Sequence, residues 1–285
     1  MHAPAKINLT LEVLARRADG YHGIRSVMVP LELADELTIE PSAAFSFECD
    51  RADLAGEDNL AFAAMRAIFK ELPPVCLRLH KRIPTQAGLG GGSSDAAAVL
   101  RAAMSGAFGA PPRCDWLRIA RDLGSDVPFF LAGTAALVEG TGERVTPAGA
   151  VPPWHVLIVK PPVAVSTADA YLAIDARKLP QRPRIGCVSI VMLEALQRAD
   201  VARVETLLQN DFNELIAETT PAIATALTSL RAAGARNAML AGSGACVFTL
   251  SPDASAIAAV ASLLRLPDDF QIFVTRFAAT PEWRA

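Results

Sequence analysis

The run Ala87-Gly88-Leu89-Gly90-Gly91-Gly92-Ser93-Ser94-Asp95-Ala96-Ala97-Ala98 sets four glycines and two serines directly before a helix-forming stretch through Val99, Leu100, Arg101 and Ala102. Glycine lets the backbone turn its N–H groups inward and approach a ligand without Cβ obstruction. The helix that follows begins with unpaired N–H donors and a partial positive charge. Together they make an anion cradle, and a nucleotide phosphate is the anion it points to. The dipole adds about 0.3–1 kcal/mol and each hydrogen bond to a charged oxygen about 1.5–3 kcal/mol, so several donors must converge. The run lacks the Gly-Lys-Ser/Thr ending of a Walker loop and fits Gly-x-Gly-x-x-Gly only in part. A flexible connector is the alternative, but a connector does not need an immediate helix start. A branched side chain at Gly91 is expected to crowd the phosphate.

Three further segments carry reactive side chains. Pro4-Ala5-Lys6-Ile7-Asn8-Leu9 puts a lysine and an asparagine at the start of the first strand. Gly124-Ser125-Asp126-Val127-Pro128-Phe129-Phe130 holds a carboxylate in a turn between apolar residues. Leu240-Ala241-Gly242-Ser243-Gly244-Ala245-Cys246 is a second glycine-rich turn. Local sequence reads Asp126 equally as a general base or as the N-cap of a short turn beginning at Val127-Pro128. Lys6 by itself reads as an ordinary strand lysine.

The elements that must position these groups follow from periodicity. Ile7, Leu9, Leu11 and Val13 alternate with Asn8, Thr10 and Glu12, as in a half-buried strand. Ala18-Asp19-Gly20 supplies a turn, and Ile24 through Leu33 resumes an extended pattern. Leu37–Glu40 and Phe45–Glu48 are shorter alternating pieces, so this part reads as antiparallel sheet. Asp58-Asn59 opens a helix ended by Pro73-Pro74, and Val75–Leu79 is a strand leading into the glycine run. Another helix lies around Trp116–Leu123. Gly149–Pro153 marks a boundary, giving domains 1–150 and 151–285. Beyond it come a strand over Trp154–Lys160 and helices over Ser189–Ala199, Val201–Ile216 and Ala222–Ala233. Strands follow at Met239–Ala241, Cys246–Leu250 and Gln271–Phe277, with a helix at Ala256–Leu264. The class is α+β, with helices backing an antiparallel sheet in the C-terminal half.

Composition narrows the function classes. The 285 residues are 52% apolar and 20% charged, enough for a substantial core, and the net charge of −3 exerts no general pull on nucleic acid or anionic membrane. Five scattered cysteines without a Cys-x-x-Cys pair argue against disulfides or structural zinc and fit a reducing cytoplasm. The four histidines lack metal-ligand spacing, no apolar run approaches a membrane span, and the N-terminus does not read as a signal peptide. The expectation is a cytoplasmic protein.

With these motifs in view, the chain resembles the GHMP small-molecule kinases from Ala3 to about Thr249. The pattern Pro-x-x-x-Gly-Leu-Gly-Gly-Gly-Ser-Ser-Asp-Ala-Ala from Pro84 carries the family likeness. Ala3-Pro4-Ala5-Lys6-Ile7-Asn8-Leu9 with Asp19-Gly20-Tyr21-His22 points to the branch whose acceptor is 4-diphosphocytidyl-2-C-methyl-D-erythritol. The resemblance implies an N-terminal domain like ribosomal protein S5 domain 2, a ferredoxin-like C-terminal domain, and transfer of the γ-phosphoryl of ATP to the acceptor's 2-hydroxyl. Homoserine and mevalonate kinases are the alternatives, but their acceptors have no base to stack; a non-catalytic nucleotide sensor would not need both Lys6 and Asp126.

Implied site residues are Lys6 and Asp126 for catalysis. ATP would be held by Pro84, Thr85, Gln86, Ala87, Gly88, Leu89, Gly90, Gly91, Gly92, Ser93 and Ser94, with Asn59 and Lys81 near the adenine. Asn8, Tyr21, His22, Thr167 and Tyr171 would bind the acceptor, the aromatic rings stacking on cytosine. Mg²⁺ would ride mostly on ATP phosphates and water, with Ser94 a possible ligand. The partners are thus a small-molecule acceptor and ATP, in a monomer or homodimer.

Overall fold

Alternation along the N-terminus becomes two long antiparallel strands, β1 (His2–Arg16) and β2 (His22–Pro41), in a computed structural model that describes residues 1–18, 20–177 and 187–278. Asp19 of the expected turn lies outside the described residues. After β3 (Ser46–Cys49), Asn59 caps α1 (Leu60–Ile68) by accepting from the Ala61 N–H at 2.9 Å. The helix stops at Phe69, short of the prolines expected to end it. Next come β4 (Val75–His80), α2 (Gly91–Met104), α3 (Trp116–Leu123), α4 (Val127–Ala132), and a hairpin of β5 (Ala136–Gly140) and β6 (Arg144–Pro147). The second half runs through β7 (His155–Lys160), α5 (Thr167–Arg177), α6 (Val188–Gln197), α7 (Val201–Leu207), β8 (Gln209–Asn210) and α8 (Asn213–Thr219). It continues with α9 (Pro221–Ala232), β9 (Met239–Leu240), β10 (Val247–Ser251), α10 (Ala254–Leu263) and β11 (Gln271–Arg276).

The first sheet has the order β3-β4-β2-β1-β8, with β5 added to β2 and β6 to β5. It is not wholly antiparallel as the alternation implies: β3 runs parallel to β4, and β8 parallel to β1. The chain between β3 and β4 includes α1, and a crossover of that kind is what lets sequential strands run parallel. The second sheet, β11-β7-β10-β9, is antiparallel throughout. Its helical backing, expected from the alternation, comes from α9, which packs on β10, and α10, which packs on β7 and β10.

β1 is buried on both faces rather than one. The register passes from Asn8↔Met28 to Thr10↔Val27, so Leu9 is an extra residue, a β-bulge. The bulge turns the strand over. Ala5, Ile7 and Leu9 pack with Met192 and Leu196 of α6, whereas Leu11 and Val13 join the core that includes α2. The polar positions divide accordingly, and Lys6, Asn8, Thr10 and Glu12 are all buried. Thr10 Oγ1 lies 2.8 Å from Ser189 Oγ, and the Ser189 hydroxyl donates to Glu12 Oε2 at 2.6 Å.

The single helix expected over Val201–Ile216 is three elements. Leu208 leaves helical geometry at φ −55°, ψ 123°, and Gln209-Asn210 pair with Thr10 and Leu11. Tertiary bonds override the local helical pattern here. Asn210 Nδ2 donates to the carbonyls of Leu240 and Gly242, each at 2.8 Å, and its Oδ1 accepts the Phe212 N–H at 2.9 Å. The β5–β6 hairpin and α5 are absent from the sequence reading. Both sheets meet again just after β11, where Ala278 N–H donates to the Pro30 carbonyl at 2.9 Å.

Asn210→Ala removes three bonds at a buried junction; urea denaturation should show a loss of about 3 kcal/mol.

Candidate active site

The glycine run is a loop clamped from both sides. The Lys6 N–H donates to the Leu89 carbonyl at 2.9 Å, and the Cys246 N–H to the Ala87 carbonyl at 3.0 Å. Gly88 sits at φ +76°, and a Cβ there would stand 1.9 Å from the Ala241 carbonyl oxygen. At Gly90, φ is +73° and a Cβ would strike the Phe130 ring at 2.8 Å. Gly90 also occupies the N-cap of α2 and supplies no side-chain acceptor, so the first-turn N–H groups keep their donor capacity for the cleft. Gly91 differs from expectation. A Cβ there would meet Ile83 at 3.2 Å and the Asp35 carboxylate at 3.4 Å, so a branched residue would disturb the loop's foundation before it reached a phosphate.

This loop forms one wall of a cleft of about 560 Å³, which is also lined by Lys6, Asn8, Asn59, Lys81, Asp126, Thr167, Tyr171 and Ser243. Pro84, Thr85, Gln86, Ala87, Leu89, Gly92 and Ser93 line it too; Ser94, Tyr21 and His22 do not. At its centre Lys6 Nζ lies 3.5 Å from Asp126 Oδ2, the two side chains being 5% and 26% exposed. Asp126 stands at the N-cap position of α4 yet makes no side-chain capping bond. Its carboxylate faces the ammonium instead. Lys6 also donates to Asn8 Oδ1 at 2.8 Å, and Asn8 Nδ2 donates to Ser26 Oγ at 2.8 Å.

On the opposite wall Thr167 opens α5, its hydroxyl 2.8 Å from that of Ser243. Tyr171, one turn on, meets the Phe212 ring edge at a centroid distance of 5.1 Å. Burial, with a contribution from the Asp126 charge, pushes its phenol up to about 12, so it remains a neutral donor at physiological pH. The His22 ring stacks on Tyr171 at 5.6 Å with an interplanar angle of 16°. Its Nδ1 is 2.9 Å from the Leu14 carbonyl and its Nε2 is 2.8 Å from Asp175 Oδ1. Tyr21, by contrast, is 69% exposed.

Asn59 and Lys81 reach the cleft with their polar atoms already engaged. Asn59 Nδ2 donates to the Leu54 carbonyl at 2.9 Å while its oxygen caps α1. Lys81 Nζ is held between Asp35, in a short contact, and Asp95 Oδ2 at 2.6 Å. Asp35 also accepts the N–H groups of Arg82 at 2.6 Å and Ile83 at 2.8 Å, which fixes the entry to the glycine loop. Burial, reinforced by Asp35 and opposed by Lys81, pushes the Asp95 carboxyl up to about 8.

Asp35, Ser26, Asp175 and Phe212 did not emerge from sequence reasoning. Asp95 enters the sequence reading only as part of the glycine run; its partner Lys81 precedes it by 14 residues.

The hydroxyl of Ser94 and Oδ1 of Asp95 are buried without a hydrogen-bond partner, and among the described residues no three His, Cys, Asp or Glu side chains gather as a metal site. A hydroxyl and a carboxylate oxygen are donors of the kind a hard cation takes. No helix among the described residues is long and apolar enough to cross a membrane.

Residues 59–134 match the family described as GHMP kinases N terminal domain, and residues 192–266 match GHMP kinases C terminal. A Deinococcus radiodurans protein named 4-diphosphocytidyl-2-C-methyl-D-erythritol kinase is 41% identical over 269 residues, covering 92% of this chain and 87% of that one. A Pelotomaculum thermopropionicum protein of the same name is 40% identical over 280 residues, 96% of each chain. The solved structure of a 4-(cytidine 5'-diphospho)-2C-methyl-D-erythritol kinase superposes with a TM-score of 0.77 at 34% identity, covering 98% of this chain and 99% of that one. An L. major mevalonate kinase, at a TM-score of 0.67 and 15% identity over 98% of this chain and 96% of its own, shares the fold.

Asp95 binds its proton more tightly folded than unfolded, where a carboxyl titrates near 3.9. Its contribution to stability is therefore complete below about pH 4 and lost as pH rises through about 8. Calorimetric melting from pH 5 to 9 should show a shallower decline for Asp95→Asn, which keeps the shape without the charge, than for the unmodified protein.

Proposed function

This chain belongs to the GHMP kinase family, and we propose that it moves the γ-phosphoryl of ATP to the 2-hydroxyl of 4-diphosphocytidyl-2-C-methyl-D-erythritol, a step of the non-mevalonate route to isoprenoid precursors. The observation that carries the reading is the Lys6–Asp126 pair standing in the same cleft as the uncapped start of α2. A donor-lined cradle for phosphate and a carboxylate beside an ammonium are the two parts that phosphoryl transfer to an alcohol requires.

In this reading the triphosphate lies along Pro84–Ser94, where the N–H groups at the helix start receive its oxygens. The acceptor's 2-hydroxyl enters between Asp126 and the γ-phosphorus. As its oxygen bonds to phosphorus and the bond to the β,γ-bridging oxygen breaks, Asp126 takes the hydroxyl proton and ADP leaves. Lys6, 3.5 Å from that carboxylate, lowers the cost of negative charge on the attacking oxygen. Its ammonium also stabilises charge spreading over the phosphoryl oxygens. When bound, Mg²⁺ would neutralise charge on the β- and γ-phosphate oxygens. Ser94 carries an orphaned hydroxyl of the loop, buried and outside the cleft lining.

We seat the cytidine end at the His22–Tyr171 stack, with Thr167 toward the ribose. The near-parallel rings, 16° apart, offer a π-face of the kind a pyrimidine stacks on. Asn8 then acts less as a direct substrate contact than as a holder of Lys6, since both its amide atoms have protein partners. Asn59 and Lys81 bound the adenine end by shape, their polar groups being engaged. We divide the chain at 150/151, and read it as a cytoplasmic monomer or homodimer.

Radiolabelled ATP offered with the cytidyl acceptor, homoserine and mevalonate should label the first alone; labelling of either other alcohol in its place overturns the assignment. Asp126→Asn should lower turnover by ~10²-fold or more while ATP affinity, read by equilibrium titration, stays within about twofold.

A further inference from the structure

Across the Leu9 bulge, side chains take over from ladder hydrogen bonds. Ser26 Oγ donates to the Thr10 carbonyl at 2.5 Å, and Thr10 Oγ1 accepts the Val27 N–H at 2.9 Å. Ser26 is fully buried and does not line the cleft. Its one hydroxyl proton is committed, because a carbonyl oxygen can only accept. Toward Asn8, 2.8 Å away, Ser26 Oγ can therefore only accept, and Asn8 must present its NH₂.

That choice fixes the other end of the amide. Asn8 Oδ1 points at Lys6 Nζ, 2.8 Å away, and an ammonium can only donate. Two separate chemical constraints thus select the same amide orientation. A flipped Asn8 would set oxygen against an oxygen with no proton to give, and NH₂ against an ammonium. Donor polarity runs one way from Lys6 through Asn8 and Ser26 to the Thr10 carbonyl. The last acceptor is main chain, pinned at the bulge, so the whole line is anchored to the backbone of β1.

The geometry points to Ser26 as a positioning residue for phosphoryl transfer: acting through Asn8, it sets where the Lys6 ammonium stands relative to Asp126. The inference rests on the proposed role of Lys6. Placement matters at this scale because displacements of about 1 Å at reacting groups can cost ~10²-fold in rate. Without Ser26, Asn8 loses the acceptor that orders its amide, and Lys6, 3.5 Å from Asp126, loses the fixed partner that opposes its drift toward the carboxylate.

Steady-state kinetics on three Ser26 variants, Asn8→Ala, the Asn8→Ala/Ser26→Ala double variant and Lys6→Ala test this, with melting temperatures recorded for each. Ser26→Ala should lower kcat about tenfold, with KM for ATP within about twofold. Ser26→Thr, which restores a hydroxyl, should recover most of kcat, whereas Ser26→Val, equal in shape but lacking the hydroxyl, should not. In an Asn8→Ala background, Ser26→Ala should cost little more, because the line is already cut. Equal kcat for the Thr and Val variants, or full additivity with Asn8→Ala, overturns the inference. A Lys6→Ala control separates the two readings. If Lys6→Ala loses turnover while Ser26→Ala does not, only the positioning role falls; if Lys6→Ala keeps full turnover, the proposed mechanism falls and this role with it.

Discussion

A single residue of β1 joins the two halves of the proposed chemistry. The main-chain N–H of Lys6 holds the glycine loop at Leu89, and its side chain reaches Asp126. The spacing between anion cradle and ammonium–carboxylate pair is thereby set by one backbone position, without relying on two independently mobile elements. The loop has equally little freedom on its other side. Gly88 lies so close to the Ala241 carbonyl that only a hydrogen fits, and a Cβ at Gly242 would come 3.3 Å from Lys6 Nζ. Close approach of three backbone segments, made possible by glycine, is the constraint from which the site follows.

Charge burial accompanies that crowding. Asp35, Lys81 and Asp95 form a cluster beneath the loop entry, and two carboxylates around one ammonium leave an excess negative charge in a poorly solvated place. The raised affinity of Asp95 for a proton is the physical response, since a neutral carboxyl there leaves the cluster balanced. Such a cluster is weak as a source of stability. Its value here is directional: Asp35 receives two successive N–H groups, those of Arg82 and Ile83, and so aims the chain into the glycine run.

Local signals were legible and remote ones were not. Asn59 as a cap, the helix beginning in the glycine run, and the strands at Val75–His80 and Gln271–Arg276 all follow from short-range patterns that the fold leaves intact. Asp126 shows the limit of local reading: a cap and a reactive carboxylate fit the turn equally, and the structure shows no side-chain capping bond there. The partners of Lys81 and Asn8 stand up to 46 residues away, and no periodicity joins them. The bulge at Leu9 was hidden for a related reason. Alternation in β1 is unbroken in sequence, so nothing local reports that the strand turns over and buries its polar residues against two different layers. The segment 201–216 failed oppositely, its helical pattern being interrupted by pairing with a strand about 200 residues earlier.

The two-residue strand β8 gives the chain an arrangement that linear order conceals. Donated by the C-terminal half, it closes an edge of the N-terminal sheet, and through Asn210 it carries the turn that follows β9. Ala278 likewise returns to Pro30 on β2. A scission near residue 150 would therefore strip the larger sheet of a border strand and leave its Leu11 and Pro30 carbonyls without their main-chain donors, Asp211 and Ala278. The polypeptide is stitched, and neither length of thread holds the seam alone.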